Sequence, residues 1–175
     1  MSEKLKSLIR DIPDFPIPGI MFRDITPVIE DPEGMKETIR LFAERYKDKG
    51  IQKVVGIEAR GFIFGGALAC AIGAGFVLVR KKGKLPHTTI QHTYDLEYGT
   101  DTVEMHIDSV EKGEKVLVID DLLATGGTAN AAIELLTKAG ADVVEAAFLV
   151  ELDFLNGRDK LAPPTFSLVH YDGES

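Results

Sequence analysis

Residues 115–138 read KVLVIDDLLATGGTANAAIELLTK, and this stretch decides the fold. Lys115–Ile119 is almost continuously apolar, which predicts a strand in a sheet that is covered on both faces. Ala129–Ala139 has the apolar spacing of a helix. Between the two lie the acids Asp120 and Asp121 and a glycine-threonine loop. A buried strand that leads through a short loop into a helix predicts one unit of a parallel α/β sheet.

The rest of the chain repeats this alternation. Apolar runs predict strands and periodic stretches predict helices, the strands at Lys53–Ile57, Phe76–Val79, Val143–Leu149 and Phe166–Val169, the helices at Ser2–Arg10, Pro32–Lys49 and Phe62–Ile72. We predict an α/β fold with a central, mainly parallel sheet flanked by helices, in one domain spanning residues 1–175. Ligands of such sheets bind beyond the carboxyl ends of the strands, so the loops after Ile57, Val79 and Ile119 should carry the chemistry.

Two segments do not fit this alternation. Phe15–Val28 and the residues just before it hold four prolines, which argues against a regular helix or a central strand. Lys84–Asp108 is a long, polar connection with β-like pieces such as Val103–Ile107, and such a loop often forms a lid over a binding site.

Composition limits the partners. The net charge of -8 argues against nucleic acid or an anionic membrane as the main partner. Gly61–Val79 carries no charge, but its five glycines favour a buried helix, a turn and a strand over a membrane span. The single cysteine, Cys70, rules out an intramolecular disulfide; we expect a buried thiol and a reduced, cytoplasmic setting.

The loop after the central strand has the features of an anion site. Gly126 and Gly127 allow successive backbone N–H groups to face one point, and the following helix adds its positive end. Ala124, Thr125 and Thr128 complete a cradle for a phosphate monoester, with two hydroxyl donors. The alternative is an ordinary capped helix, but the two adjacent acids favour a ligand that also carries a vicinal diol, as ribose 5-phosphate does.

Two further stretches could bind anions. Glu58, Ala59 and Arg60 follow the strand Lys53–Ile57 and precede a helix, and Arg80–Lys84 holds four cations in five residues. Each alone could be a solvated surface turn. Together, at the ligand-binding end of an acidic protein's sheet, they favour a ribose that carries both a 5-phosphate and a 1-pyrophosphate.

The string VLVIDDLLATGGT resembles the signature of the type I phosphoribosyltransferase family, which uses 5-phosphoribosyl 1-pyrophosphate. Phe15–Pro27, Glu58–Phe62, Arg80–Pro86 and Leu96–Gly99 are similar, in this order, to the adenine phosphoribosyltransferases. The resemblance extends from about Ile9 to Tyr171 and loosens between Pro86 and Tyr94. It implies transfer of phosphoribosyl to adenine with release of AMP and pyrophosphate, Mg2+ held mainly by the substrate, a homodimer, and an N-terminal hood of about residues 1–30 over the base.

The resemblance also implies roles for individual residues. Asp120 and Asp121 hold the ribose hydroxyls, and Ala124–Thr128 holds the 5-phosphate. Pyrophosphate is bound by the loops after two strands and by one lid residue, namely Glu58, Ala59, Arg60, Arg80, Lys81, Lys84 and Tyr98. Glu97 lies near the imidazole edge of adenine and assists proton transfer, while Met21, Phe22 and Arg23 line the base pocket.

Three alternatives remain open from the residues alone. The first is a phosphoribosyltransferase for another base, such as hypoxanthine, xanthine or orotate. The second is a non-catalytic regulator that senses phosphoribosyl ligands and binds nucleic acid. The third is a phospho-acceptor receiver domain, which has an acidic strand tip but no need of a Gly-Gly-Thr loop.

Overall fold

A seven-stranded sheet forms the centre of the molecule in the computed structural model, which describes residues 2–174. The strands are β1 (Arg10–Ile12), β2 (Phe22–Asp24), β3 (Lys53–Ile57), β4 (Gly75–Lys81), β5 (Thr89–Asp95), β6 (Thr100–His106), β7 (Lys115–Leu123), β8 (Asp142–Leu152) and β9 (Thr165–Tyr171). The central sheet has the order β5-β6-β4-β3-β7-β8-β9. Strands β4, β3, β7, β8 and β9 run parallel, and the β5–β6 hairpin adds antiparallel at one edge. Strands β1 and β2 form a separate antiparallel pair.

Within residues 2–174, five α-helices connect and cover the strands: α1 (Glu3–Leu8), α2 (Thr26–Glu30), α3 (Pro32–Tyr46), α4 (Arg60–Ile72) and α5 (Gly127–Lys138). Helix α3 begins where Asp31 accepts a hydrogen bond from the Gly34 N–H at 2.7 Å, with proline at the first helical position. Helix α4 ends at Gly73, whose φ of 74° suits a residue without Cβ. Two short 3₁₀ helices, Asp153–Leu155 and Gly157–Lys160, follow β8.

Apolar side chains fill both faces of the sheet. Adjacent residues of one strand point to opposite faces, so Val54 packs with Phe42, Phe64 and Leu117 on one side. Val55 packs on the other side with the core that includes Leu135 of α5. The near-continuous apolar runs of the parallel strands follow from this two-sided burial.

The predicted fold class is confirmed, and the structure adds detail to the prediction in three places. The segment Lys84–Asp108 is largely the ordered β5–β6 hairpin, and the expected β-like piece Val103–Ile107 overlaps β6. Val103 and Met105 of β6 and Ile90 of β5 pack into the core. The segment Phe15–Val28 contains strand β2 and the start of α2, whose proline occupies a first-turn position where no N–H is needed. Strand β7 does not end at Ile119 but continues through both acids to Leu123.

The uncharged stretch after Gly61 divides into α4 and β4, as the glycines indicate. Among residues 2–174, no helix is long and apolar enough to cross a membrane. The expectation of a buried Cys70 is wrong: its side chain is exposed on α4, because the helix turns Phe64, Leu68 and Ala69 toward the core instead.

Candidate active site

A cleft of about 240 Å³ opens where β3 and β7 end. It lies at the carboxyl ends of parallel strands, where ligands of such sheets bind. Its walls come from three stretches and one residue of β4, namely Ile57–Arg60, Asp120–Gly126, Thr128–Ala129 and Lys81. The structure therefore brings together the acids, the glycine-threonine loop and two of the predicted pyrophosphate-binding cations.

The loop Ala124–Thr128, called the phosphate loop below, ends in the first turn of α5. Gly126 precedes the helix with a φ of 85°, a left-handed conformation that side chains disfavour. The N–H groups of the first helical turn have no partners within the helix and point toward the helix N-terminus. The loop thus combines free amides, a positive helix end and the Thr128 hydroxyl, which is the arrangement that binds a phosphate.

The two acids have different surroundings. Asp121 is 6% exposed, and its carboxylate accepts a hydrogen bond of 2.5 Å from Arg60 Nε. This ion pair raises the pKa of Arg60. Asp120 accepts a hydrogen bond from the Asp121 N–H at 2.8 Å, and α4 approaches it so closely that a Cβ on Gly61 would lie 2.9 Å from Asp120 Oδ1.

Asp120 is the acid of the pair whose charged form is disfavoured by its surroundings. Burial raises its pKa well above the ordinary 3.8, and the nearby charge of Asp121 raises it further, while Arg60 only partly offsets both effects. The cleft therefore holds two different acids. The charge of Asp121 is neutralised by Arg60, whereas a positive charge that develops nearby would stabilise the charged form of Asp120.

Glu58 organises the cations of the other predicted anion site. Its carboxylate accepts hydrogen bonds from the Lys81 N–H and, at 2.7 Å, from Lys84 Nζ, and Arg80 Nε lies 3.7 Å away. Burial acts to raise the pKa of Glu58, but these partners outweigh it and the pKa is lowered. The Glu58 side chain thus faces the cations, and this loop offers its backbone to an anion in the cleft, beside Arg60 and Lys81.

The β5–β6 hairpin contacts both anion-binding parts of the cleft. Lys81 Nζ forms an ion pair with Asp101 of β6, and this contact lowers the pKa of Asp101. The Tyr94 hydroxyl of β5 lies 3.2 Å from Thr128 Oγ1 and 3.4 Å from Lys81 Nζ. The cation and the hydroxyl that we assign to substrate phosphates are therefore held by hairpin residues in this structure.

The predicted base-binding residues lie on or beside β2, outside the lining of the cleft. Phe22 is half-buried and packs edge to face against Phe15, with ring centroids 5.1 Å apart. The Arg23 guanidinium is buried, donates to Asp11 at 2.5 Å and stacks on Tyr171 at 4.1 Å. The Arg23 side chain is thus occupied elsewhere, which leaves the backbone of Met21–Arg23 for a base.

The structure does not bring the predicted lid residues to the cleft. Glu97 and Tyr98 lie in the exposed turn between β5 and β6, and Tyr98 is 87% exposed. Contact between this turn and a bound base requires a movement of the hairpin tip.

Sequence reasoning missed three residues of the site. Tyr94 and Asp101 alternate with exposed residues in ordinary strand patterns, and nothing local marks them as neighbours of the phosphate loop. Gly157 packs directly against Ala124 and Gly126, although it is about 30 positions away along the chain. A contact of this kind depends on the tertiary fold and leaves no local signal.

Among residues 2–174, one cluster of three potential metal ligands is found, Glu151, Asp153 and His170. It lies outside the cleft, and Arg158 already neutralises Glu151 through two hydrogen bonds of 2.7 and 2.6 Å. The cleft offers the oxygen donors of the paired acids beside the cations Arg60 and Lys81. This donor set fits Mg2+ that arrives with a substrate diphosphate, because Mg2+ usually takes one or two carboxylates together with phosphate oxygens.

Residues 28–170 match the family model described as phosphoribosyl transferase domain. An adenine phosphoribosyltransferase from Psychromonas ingrahamii is 58% identical over 175 residues, which cover 98% of this chain and 97% of the relative. The chain belongs to the adenine phosphoribosyltransferase family. A crystal structure of the family member from Rhodothermus marinus has a TM-score of 0.91 at 54% identity, with 97% of each chain covered.

A second crystal structure, of the adenine phosphoribosyltransferase from Saccharomyces cerevisiae, contains adenine and an imino-altritol bisphosphate. It has a TM-score of 0.91 at 42% identity and covers 95% of this chain and 97% of its own. The family thus accounts for the whole layout of this chain, from the small N-terminal strand pair to the last strand of the sheet.

Proposed function

We propose that this enzyme transfers the phosphoribosyl group of 5-phosphoribosyl 1-pyrophosphate to adenine, giving AMP and pyrophosphate. The observation that carries the proposal is the joining, in one cleft, of an amide-lined phosphate loop, two adjacent acids and the cations Arg60 and Lys81. A phosphate site alone gains nothing from two acids, whereas a sugar that carries phosphates at both ends uses all three groups.

The reaction separates charge, and the site is arranged to stabilise that separation. As the bond from the anomeric carbon to pyrophosphate breaks, positive charge spreads over the ribose ring and negative charge builds on the leaving group. Asp120 and Asp121 hold the ribose hydroxyls beside the developing cation. Arg60, Lys81 and the backbone of Glu58 and Ala59 hold the pyrophosphate, with Arg80 and Lys84 near its outer end. Interactions that strengthen with these charges lower the barrier.

Bound with the diphosphate, Mg2+ supplies further neutralisation of the leaving group. In this proposal the substrate mainly holds the ion, and the carboxylates of Asp120 and Asp121 would be the protein's oxygen donors toward it. Membership of the phosphoribosyltransferase family and the paired acids of the cleft support this choice of cofactor.

The base is held by the N-terminal hood, residues 1–30. A backbone C=O and N–H of Met21–Arg23 match the amino donor and ring acceptor of adenine, and a 6-oxopurine reverses both and is rejected. Phe22 stacks on the ring. Hydrogen bonds from Thr26 lower the pKa of Asp24 at the end of β2, and the charge of Arg60 adds to this effect, in keeping with a hood strand beside the cleft.

The hairpin turn supplies the remaining roles. Closure of the turn brings Glu97 to the imidazole edge of adenine, where it assists proton transfer as the base attacks, and brings Tyr98 over the pyrophosphate. Closure also excludes water, which otherwise hydrolyses the activated sugar.

A homodimer in the cytoplasm is the form we propose for the enzyme. The dimer is supported by an apolar groove of about 650 Å³ between α3 and α4, lined by Ile29, Met35, Ile39, Ala67 and Ala71 among others. An exposed apolar patch of this kind marks an interaction surface. Sedimentation at micromolar concentration tests this: the mass should be twice 19.1 kDa, and a single-chain mass contradicts it.

Release of pyrophosphate tests the reaction itself. The purified enzyme with Mg2+ and 5-phosphoribosyl 1-pyrophosphate should release pyrophosphate only when adenine is added. Hypoxanthine, xanthine and orotate serve as matched bases in the same assay. Faster release with hypoxanthine than with adenine would overturn the base assignment, and no release with any base would overturn the transferase assignment.

A further inference from the structure

Gly157 lies buried against the phosphate loop, although it does not line the cleft. A Cβ at Gly157 would lie 2.3 Å from the Ala124 carbonyl oxygen and 3.1 Å from the Gly126 nitrogen. Conversely, a Cβ at Gly126 would lie 2.5 Å from the Gly157 carbonyl oxygen. The two backbones are therefore in direct contact, with no space for a side chain from either segment.

Space, and not backbone conformation, is what requires glycine at this position. The φ angle of Gly157 is not positive, so alanine can adopt its backbone angles. Gly126 differs, because its φ of 85° disfavours any side chain. Exchanging Gly157 for Ala thus adds one methyl group at one contact and requires no strained backbone angle.

Hydrogen bonds connect the segment that carries Gly157 to the central sheet. Arg158 donates two hydrogen bonds to Glu151 of β8, and the Ser167 hydroxyl of β9 donates another at 2.6 Å. Glu151 is 2% exposed, and although burial acts to raise its pKa, these partners lower it. These hydrogen bonds anchor the 3₁₀ helix Gly157–Lys160 to β8, so the helix supports the phosphate loop from its far side.

We propose that Gly157 is a positioning residue for substrate phosphate. Its contact with the Ala124 carbonyl fixes the position of that carbonyl, and hence of the loop amides that bind the 5-phosphate. The inference rests on the proposed function, since it assigns the 5-phosphate to this loop. A methyl group at Gly157 moves the Ala124 carbonyl by most of an ångström, because carbon and oxygen do not approach to 2.3 Å. Displacements of about 1 Å at a binding site cost up to about a hundredfold in rate.

The test compares Gly157→Ala with Gly75→Ala, a matched control. A Cβ at Gly75, at the exposed start of β4, meets the nearest atom at 3.5 Å, an ordinary contact. We expect Gly157→Ala to raise the KM for 5-phosphoribosyl 1-pyrophosphate and the Kd of ribose 5-phosphate, measured by calorimetry, about tenfold each. The KM for adenine and kcat at saturation should stay within about threefold of wild type. The control should match wild type throughout.

General damage to the fold gives a different pattern: less active protein and a lower kcat, with both KM values unchanged. That pattern, or wild-type binding of ribose 5-phosphate by Gly157→Ala, would overturn the inference. If Gly157→Ala does not fold, Arg158→Lys decides, because it keeps the charge but loosens the support; we expect about threefold weaker ribose 5-phosphate binding, and unchanged binding contradicts us. A wild-type enzyme that binds ribose 5-phosphate but releases no pyrophosphate would refute the reaction and not the role of Gly157.

Discussion

Exchanging Asp120 for Asn should make the enzyme more stable and less active at neutral pH. Burial and the neighbouring Asp121 raise the pKa of Asp120 in the folded protein. A carboxyl with a raised folded-state pKa destabilises the fold once the pH rises above its ordinary value of 3.8. Asn is neutral at every pH and can still accept the hydrogen bond from the Asp121 N–H. We therefore expect a gain of about 1 kcal/mol at pH 7.5, a rise in Tm of about 2–4 °C.

The same exchange removes a charge from the ribose site. A hydrogen bond between a hydroxyl and a charged acceptor contributes about 1.5–3 kcal/mol, so kcat/KM for 5-phosphoribosyl 1-pyrophosphate should fall about 10- to 150-fold. The matched variant is Asp121→Asn, which should lower activity by a similar factor. It should also lower the Tm, because it breaks the 2.5 Å ion pair with Arg60. Since the Arg60 side chain is 53% exposed, this loss should be modest, about 1 kcal/mol.

The assays are pyrophosphate release and thermal unfolding of both variants from pH 7.5 down to pH 3.5. The stability gain of Asp120→Asn should shrink as the pH falls toward and below 3.8, because the wild-type acid then becomes protonated in the unfolded state as well as in the folded state. A lower Tm of Asp120→Asn than of wild type at pH 7.5 would refute the electrostatic reasoning. A kcat/KM within twofold of wild type in both variants would refute the assignment of the acids to the sugar.

Three further predictions concern the hairpin and the core. Tyr94→Phe removes the hydroxyl that lies 3.2 Å from Thr128 Oγ1, and it should change the KM for 5-phosphoribosyl 1-pyrophosphate by about two- to fivefold while the KM for adenine stays constant in steady-state assays. Glu97→Gln should lower kcat about 100-fold, as loss of a proton-transfer group does, and should change adenine affinity by a smaller factor. A larger loss in adenine affinity than in kcat would make Glu97 a binding residue only. Glu145→Gln should lower the Tm by about 4–8 °C at pH 7, since it removes the charge that accepts from Arg45, Tyr46 and Lys49. Burial acts to raise the pKa of Glu145, but these partners lower it below 4.5, so its stabilisation is present above that pH and should vanish from the melting curves as the pH falls further.

The elements that build the sheet could be predicted from the sequence because their signals are local. The apolar run Lys115–Ile119 predicts a strand covered on both faces, and Gly126 and Gly127 predict the turn into a helix. The five parallel strands were all expected for this reason, and the parallel pairing of β3 with β7 places the ends of these two strands at the same edge of the sheet. The cleft therefore lies where the strand pattern indicates.

The hairpin and the hood could not be predicted in the same way. Thr89–Asp95 and Thr100–His106 are mostly polar, and their strand character depends on pairing with each other and with the end of β4. The proline-rich segment before Val28 carries β2 only because it pairs with β1, which is three residues long. Such short strands are set by tertiary contacts, which override weak local propensity.

The site shows the same division between local and tertiary signals. Asp120, Asp121 and the phosphate loop are adjacent in sequence, and the structure places them in one cleft. The role of Glu58 as counter-ion of Lys84, and the packing of Gly157 on Ala124, join residues that are distant along the chain. The predicted roles of Glu97, Tyr98 and Met21–Arg23 remain predictions, because they depend on a bound base and on the position of the hairpin turn.

A crystal structure of the enzyme with AMP tests the central claim most directly. We predict that the phosphate of AMP accepts hydrogen bonds from the amides of residues 124–128, and that both ribose hydroxyls donate to Asp120 and Asp121. A phosphate bound at another place, or a ribose that contacts neither acid, would contradict the account.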